Sequence, residues 1–285
     1  MEALLAFWDR PPRRDPLTEL RTWHDQMESG ADNCVLSRCP NRRSACWSDS
    51  QAFTLASADV ITLLQREHVA FALFSEEWAL RETGDEADAH LAAAARHRAA
   101  ADALAAALNA RLWRQDRGFH IAWNVSERAP ILAKTYVIGF PLWAGLVNAS
   151  QAAAIASTLQ RPEMLSAVGL RSTSSDDPRY NNDDEIIPYS NWRGPMWVNA
   201  NALTAYGLNR YGHKALAIGI ARRVTATLAR DLRNSSAWHE AYSTADGTAL
   251  AAPGFLSWDT LVADLLPNLR SGKDPFALRP RAHAA

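Results

Sequence analysis

The sequence predicts an all-α fold in which consecutive helix pairs close into an α/α toroid. Three observations predict it. Apolar residues recur at spacings of three, four and seven through most of the chain. Strand-like segments are few and short. No signature repeats at the roughly 33–45-residue periods of solenoids, which leaves a bundle or a toroid. Long polar connections between the helices favour the toroid.

The elements follow in order. Asp59 to Leu80 reads as a helix, with Asp59 as N-cap and Val60, Leu64, Phe71, Phe74 and Trp78 on one face. Glu86 to Trp113 is Ala-rich, with Leu104, Leu108 and Leu112 four apart. "RQDRGFHIAWN" (114–124) is a turn followed by a strand-like piece, and Gln151 to Leu159 is a short helix. In "GPMWVNANALTAYGLNRYG", Gly194 sits at a cap and Pro195 at the first helical position, where its missing N–H costs nothing. Gly212 ends that helix. Lys214 to Leu232 carries Leu216, Ile220, Val224 and Leu228 on one stripe. A last helix runs from about Leu256 to Leu266, before Pro267. That makes about seven or eight helices.

Bulk composition narrows the function. With 285 residues, 48% of them hydrophobic, and no low-complexity linker, the chain reads as a single domain over 1–285. Its net charge of −1 gives no electrostatic reason to expect nucleic acid or an anionic membrane. No apolar run is long enough to span a bilayer, and "MEALLAFWDR" lacks the basic start and apolar run of a secretory signal. Cys34, Cys39 and Cys46 are spaced C-x4-C-x6-C, without the paired spacing or nearby histidines of a zinc site. Their odd number and low usage fit reduced thiols in a cytoplasmic protein. The expectation is therefore a protein without metal or organic cofactor.

Tryptophan is the outlier, with 11 residues. An indole offers a flat apolar face with an N–H at its edge, which matches the C–H face and hydroxyl rim of a sugar. For most of the eleven, core filling is the better explanation. Sugar hydrolysis needs two carboxyl groups flanking the scissile bond. The acids in polar, aromatic loop contexts are Glu28, Asp32, Asp183, Asp184, Glu185, Glu240 and Asp246. Glu240 lies in "SSAWHEAYSTADG", between Trp238, His239 and Tyr242, where donors can keep a carboxylate ionised and a water oriented. From its residues alone it reads more readily as a helix-terminus acid bonded to its own turn. The "NNDDE" run (181–185) reads as a solvated loop or a weak calcium candidate without EF-hand spacing. "PYSNWRGPMWVN" (188–199) groups Tyr189, Asn191, Trp192, Arg193 and Trp197, a set suited to a polar ligand.

Taken together, "ESGADN", "YSNWRGPMWVNANALTAYGLNRYG" and "WHEAYSTADG…GFLSWDTLVADLL" resemble, in order, blocks of glycoside hydrolase family 63. The resemblance runs from about Arg21 to Phe276. It implies the six-hairpin α/α toroid and an inverting α-glycosidase acting on a short α-glucoside or α-mannoside. Carried onto this chain, the aspartate of the S-G-x-D-N motif, Asp32, is the general acid. The glutamate before the aromatic turn, Glu240, is the general base. Inversion predicts the two carboxyls roughly 6.5–9.5 Å apart, leaving room for a water. Trp192, Arg193, Trp197, Tyr242 and Tyr189 line the sugar site in this expectation, with Trp23, His24, Asn33 and Trp258 on the same wall. The partner is a small carbohydrate. One departure is Cys34 directly after the acid motif, where the family often has Ser and an aromatic. Another is the near-absence of the helices that precede that motif in the family. The expectation is thus an N-terminally truncated toroid holding about seven or eight of twelve helices. The alternatives are an inactive or merely sugar-binding remnant and, more remotely, an α/α-toroid cyclase or lyase.

Overall fold

The computed structural model describes residues 2–24, 26–36, 54–183 and 190–278. The N-terminal stretch holds two short helices, α1 (Glu2–Trp8) and α2 (Gln26–Ser29). A two-residue strand, β1 (Leu55–Ala56), leads into α3 (Ala58–Ala79), which pairs along its length with α4 (Asp85–Leu112). Leu104, Leu108 and Leu112 are buried as their spacing predicts, and alanines elsewhere on α4 let the pair approach closely. Two small hairpins follow. β2 (Trp113–Arg114) pairs with β3 (Phe119–His120), and β4 (Ala122–Asn124) lies between β1 and β5 (Ala129–Ile131).

A 3₁₀ turn (Tyr136–Gly139) then runs into α5 (Phe140–Ala144), followed by α6 (Ala149–Gln160). The start of α6 is fixed by a capping box: Asn148 accepts from Gln151 N, and the Gln151 side chain accepts from Asn148 N. The second long pair is α7 (Val198–Arg210) with α8 (Lys214–Ser235). A hairpin of β6 (His239–Tyr242) and β7 (Ala249–Pro253), a 3₁₀ turn (Trp258–Leu261) and α9 (Val262–Ser271) complete the described chain.

The buried apolar side chains form two clusters. Ile138, Leu142, Ile155, Ile220, Val224 and Leu265 belong to one, built on α5 to α9. Leu20, Trp23, Ile61, Leu108, Trp192 and Trp197 belong to the other, under the N-terminal stretch. Leu203 and Trp258 pack against both, so the candidate site sits at their seam. Each fully buried Leu or Ile contributes about 1.5–3 kcal/mol.

Four expectations needed correction. Asp59 does not cap α3; Ser57 holds the N-cap position, and Asp59 is buried in the first turn. There it accepts hydrogen bonds from Trp23 Nε1 (3.2 Å), Tyr136 OH (3.3 Å) and Ser57 Oγ. The apolar stripe of α3 is buried at Val60 and Leu64 but exposed at Phe74 (59%) and Trp78 (50%). Trp78 instead stacks on His90 of the partner helix. The helix after "WRGP" starts at Val198, not Pro195, because Met196 is engaged in a β-bridge with Tyr242 and so leaves helical geometry. Pro267 lies inside α9 rather than beyond it. It sits on the exposed face, and the helix ends at Gly272 in the left-handed region (φ 77°).

Candidate active site

Asp32 and Glu240, 240 − 32 = 208 positions apart in the chain, are brought into electrostatic contact. Burial raises the Glu240 carboxyl above its ordinary pKa, and the neighbouring Asp32 charge raises it further. Burial likewise raises Asp32, partly offset by a hydrogen bond from the Ser190 side chain. Both acids are half-buried. Two carboxyls that repel each other titrate as a pair, and losing the first proton makes the second harder to remove.

One segment, 190–197, holds both acids. On the Asp32 side, Asn33 is 1% exposed and clasps it in both directions. Asn33 Oδ1 accepts from Trp192 N (2.6 Å), and Asn33 Nδ2 donates to Asn191 Oδ1 (3.3 Å). Arg193 Nε donates to the Asn33 carbonyl (2.7 Å). On the Glu240 side, Met196 N donates to Tyr242 O (2.7 Å) and Tyr242 N to Met196 O (3.1 Å). Thr244 Oγ1 donates to Gly194 O (3.2 Å). Gly194 is required here, since an added Cβ would lie 2.3 Å from Asn181 O. β6 has a register shift between His239 and Ala241, so Glu240 occupies the irregular position of the ladder.

The aromatic residues support this frame. Trp192 and Trp197 stack face to face (4.0 Å, 10°), and Trp197 Nε1 donates to Asn191 O (2.8 Å). Tyr136 packs on Trp192 (4.7 Å) and reaches back to Asp59, as does Trp23. Tyr242 OH donates to Asp231 (2.9 Å), which also pairs with His239 Nδ1 (2.9 Å). Trp192, Arg193, Trp197 and Tyr242 are 0–3% exposed, so what they contribute directly is support for the loops carrying the acids. Trp258 and His24 are half-buried, with Trp258 Nε1 and His24 Nε2 lacking protein partners. Trp258 packs on Trp197 and Phe255. Tyr189, Asp184, Glu185, Cys39 and Cys46 lie outside the described residues.

The other sequence candidates separate cleanly. Glu28 is engaged by Arg13 and by His24 N. Asp183 and Asp246 are exposed, and turn hydrogen bonds lower Asp246. Cys34 is buried, which pushes its thiol up to about 12 and leaves it inert as a nucleophile. Among the described residues no group of three His, Cys, Asp or Glu is placed to hold a metal, and no helix is long and apolar enough to cross a membrane.

Sequence reasoning missed Ser190, the hydrogen-bond partner of Asp32, and Asp259, a fully buried acid next to Glu240. Asp259 had a signal: it lies three residues before Val262 and six before Leu265, on the stripe α9 buries.

The helix pairs share the fold of the six-hairpin glycosidase toroids, and the structure brings Asp32 and Glu240 within electrostatic reach of each other. The model of the mannosylglycerate hydrolase MGH1-like glycoside hydrolase domain matches residues 1–258, and the chain belongs to that family. The mannosylglycerate hydrolase of Thermus thermophilus is 29% identical over 152 residues, which cover 53% of this chain and 34% of that protein. A crystal structure of a GH63 mannosylglycerate hydrolase from Thermus thermophilus, in complex with Tris, superposes with a TM-score of 0.54 at 25% identity, covering 77% of this chain and 47% of that one. Neutral trehalase from Saccharomyces cerevisiae shares the fold, with a TM-score of 0.67 at 17% identity over 95% of this chain and 57% of its own. The chain thus matches less than two thirds of the length of these relatives.

Proposed function

We propose that residues 1–285 act as one catalytic unit that hydrolyses a short α-mannoside or α-glucoside with inversion, Asp32 as general acid and Glu240 as general base. The observation that carries this reading is the electrostatic coupling of the two half-buried acids across 208 positions of sequence. The pair's proton belongs on Asp32, which protonates the leaving oxygen while ionised Glu240 takes a proton from the attacking water. Water adds to the anomeric carbon opposite the departing group. After one turnover the proton has moved from Asp32 to Glu240, and exchange with solvent resets the pair. Trp258 and His24 are half-buried residues and are proposed to face the sugar with their exposed ring surface, since Trp258 Nε1 and His24 Nε2 are themselves buried. Tyr189 extends the same wall in this proposal. The relatives' activity makes mannosylglycerate the first substrate to try.

Proton NMR of the hydrolysis tests each part. Wild type releases β-anomeric sugar first. Asp32→Asn and Glu240→Gln each lower kcat by at least about a hundredfold, the lower end of general acid–base contributions. Initial α-anomer removes inversion, and wild-type rates in both variants remove the assignment. Saturable sugar binding without turnover by wild type replaces hydrolysis with the binding reading.

A further inference from the structure

Asp259 is the second residue of the 3₁₀ turn Trp258–Leu261, within electrostatic reach of Glu240 on β6 and Asp231 on α8. Asp259 is 0% exposed, and neither carboxyl oxygen has a hydrogen-bond partner among the described residues. The neighbouring indole N–H of Trp258 does not serve it, since that N–H is itself without a partner. The groups whose charge bears on Asp259 are Glu240 on β6 and Asp231 on α8, both acids, with Tyr242 on the same strand. Among the described residues no Lys, Arg or His is a cause of its shift.

The three acids are not equivalent. Asp231 accepts hydrogen bonds from His239 Nδ1 (2.9 Å), Tyr242 OH (2.9 Å) and Ser235 Oγ (2.8 Å), donors that stabilise an anion. Glu240 is half-exposed and open to solvent on one side. Asp259 has neither donors nor solvent. A carboxylate buried without donors beside two other carboxyls is the least stable anion of the set.

We infer that Asp259 is a positioning residue for Glu240: of these two neighbouring acids it is the buried one and carries the proton, which leaves Glu240 as the ionised base. Burial first, then the Glu240 and Asp231 charges, push the Asp259 carboxyl up to about 8, so it stays neutral across the working range. Above that, ionised Asp259 places a second negative charge beside Glu240 and disturbs the site. Its influence on catalysis rests on the reading of Glu240 as the base, but the location of the proton does not.

Infrared difference spectroscopy of the full chain reads the proton directly. The wild-type minus Asp259→Asn spectrum at pH 7 is expected to show the carbonyl stretch of a protonated carboxylic acid, lost with a midpoint near pH 8. In Glu240→Gln, which keeps Asp259 in place, the midpoint moves to lower pH because a repelling charge is gone. In hydrolysis, Asp259→Asn retains wild-type KM near neutrality and extends the alkaline limb of the kcat profile. A carboxylate signal in its place at pH 7, or a midpoint that Glu240→Gln leaves unmoved, overturns the inference. Should Asp259→Asn not fold, the midpoint in Glu240→Gln decides alone. Absence of hydrolysis in wild type, with the infrared result intact, fails the functional reading and not this one.

Discussion

Replacing Asn33 by Ala tests the clasp that holds the Asp32 loop. Asn33 is 1% exposed, and its Oδ1 accepts from Trp192 N at 2.6 Å. Truncation orphans that buried N–H, which costs about 1–3 kcal/mol. The other side-chain bond matters less. Asn191 Oδ1 keeps its bond from Arg193 N (2.9 Å) when Asn33 Nδ2 is gone. The small space left by the amide adds up to about 1 kcal/mol. The Arg193 bond to the Asn33 carbonyl belongs to the backbone and survives. The expected loss is therefore about 2–3 kcal/mol, or roughly 5 °C in Tm for a chain of this size. Urea unfolding followed by tryptophan fluorescence measures it as a lower midpoint with an unchanged slope. Asn33→Asp retains the acceptor, so at low pH, where the new carboxyl is neutral, it should be the milder variant. A midpoint unmoved by Asn33→Ala, within about 0.5 kcal/mol, would show that Trp192 N finds another partner and that the clasp does not hold the loop.

Other outcomes follow from the same geometry. Gly207→Ala puts a Cβ 2.5 Å from Trp143 N and 2.7 Å from Leu142, so α7 must shift from α5, at about 1–3 kcal/mol in chemical denaturation. Asp59→Ala orphans Trp23 Nε1, Tyr136 OH and Ser57 Oγ together and should cost at least about 3 kcal/mol, measured as a lower Tm. For Asp259 the linkage sign is set by a folded pKa raised from 3.8 to about 8. The unfolded chain loses the proton first, so the contribution is fully present below pH 3.8 and is lost as pH rises towards 8. Asp259→Asn removes that loss. Its stability gain over wild type, measured by denaturant titration, should be near zero at pH 4 and about 4 kcal/mol at pH 7. A gain independent of pH would mean Asp259 titrates normally.

The long helices were legible because each buries one stripe: Leu104, Leu108 and Leu112 on α4, and Ile220, Val224 and Leu228 on α8, are all buried. The proposed pairing of Asp32 with Glu240 came only from the resemblance of short blocks, since nothing local distinguishes Glu240 from an acid at the end of a helix. What stayed hidden depends on contacts between distant segments. Pro195 satisfies the rule for a first helical residue, yet the Met196–Tyr242 bridge delays the helix to Val198. Phe74 and Trp78 continue the stripe of Val60 and Leu64, but the sequence does not say how far the rest of the fold reaches along α3. Pro267 reads as a terminator because its exposed position on α9 is a tertiary property.

The "WRGPMW" block gains a different meaning from these contacts. Its residue types fit a surface that stacks on sugars, but Trp192, Arg193 and Trp197 are buried with their polar groups engaged. Ser190 to Arg193 bind the Asp32 loop, and Gly194 to Met196 bind the Glu240 hairpin. Both acids therefore hang from one seven-residue strap, 190–196, stiffened by the Trp192–Trp197 stack at 4.0 Å. The distance between acid and base decides whether a water fits between them and the glycosidic carbon. If Asp32 and Glu240 act as proposed, a strap that holds both of their loops sets that distance. Conservative changes in it should consequently lower kcat with little change in KM, the signature of lost transition-state alignment rather than lost sugar contact. Trp197→Phe is the sharpest case, because it keeps an aromatic ring against Trp192 while removing the Nε1 bond to Asn191 O and part of the buried indole. A raised KM at constant kcat in that variant would return Trp197 to the sugar-binding wall.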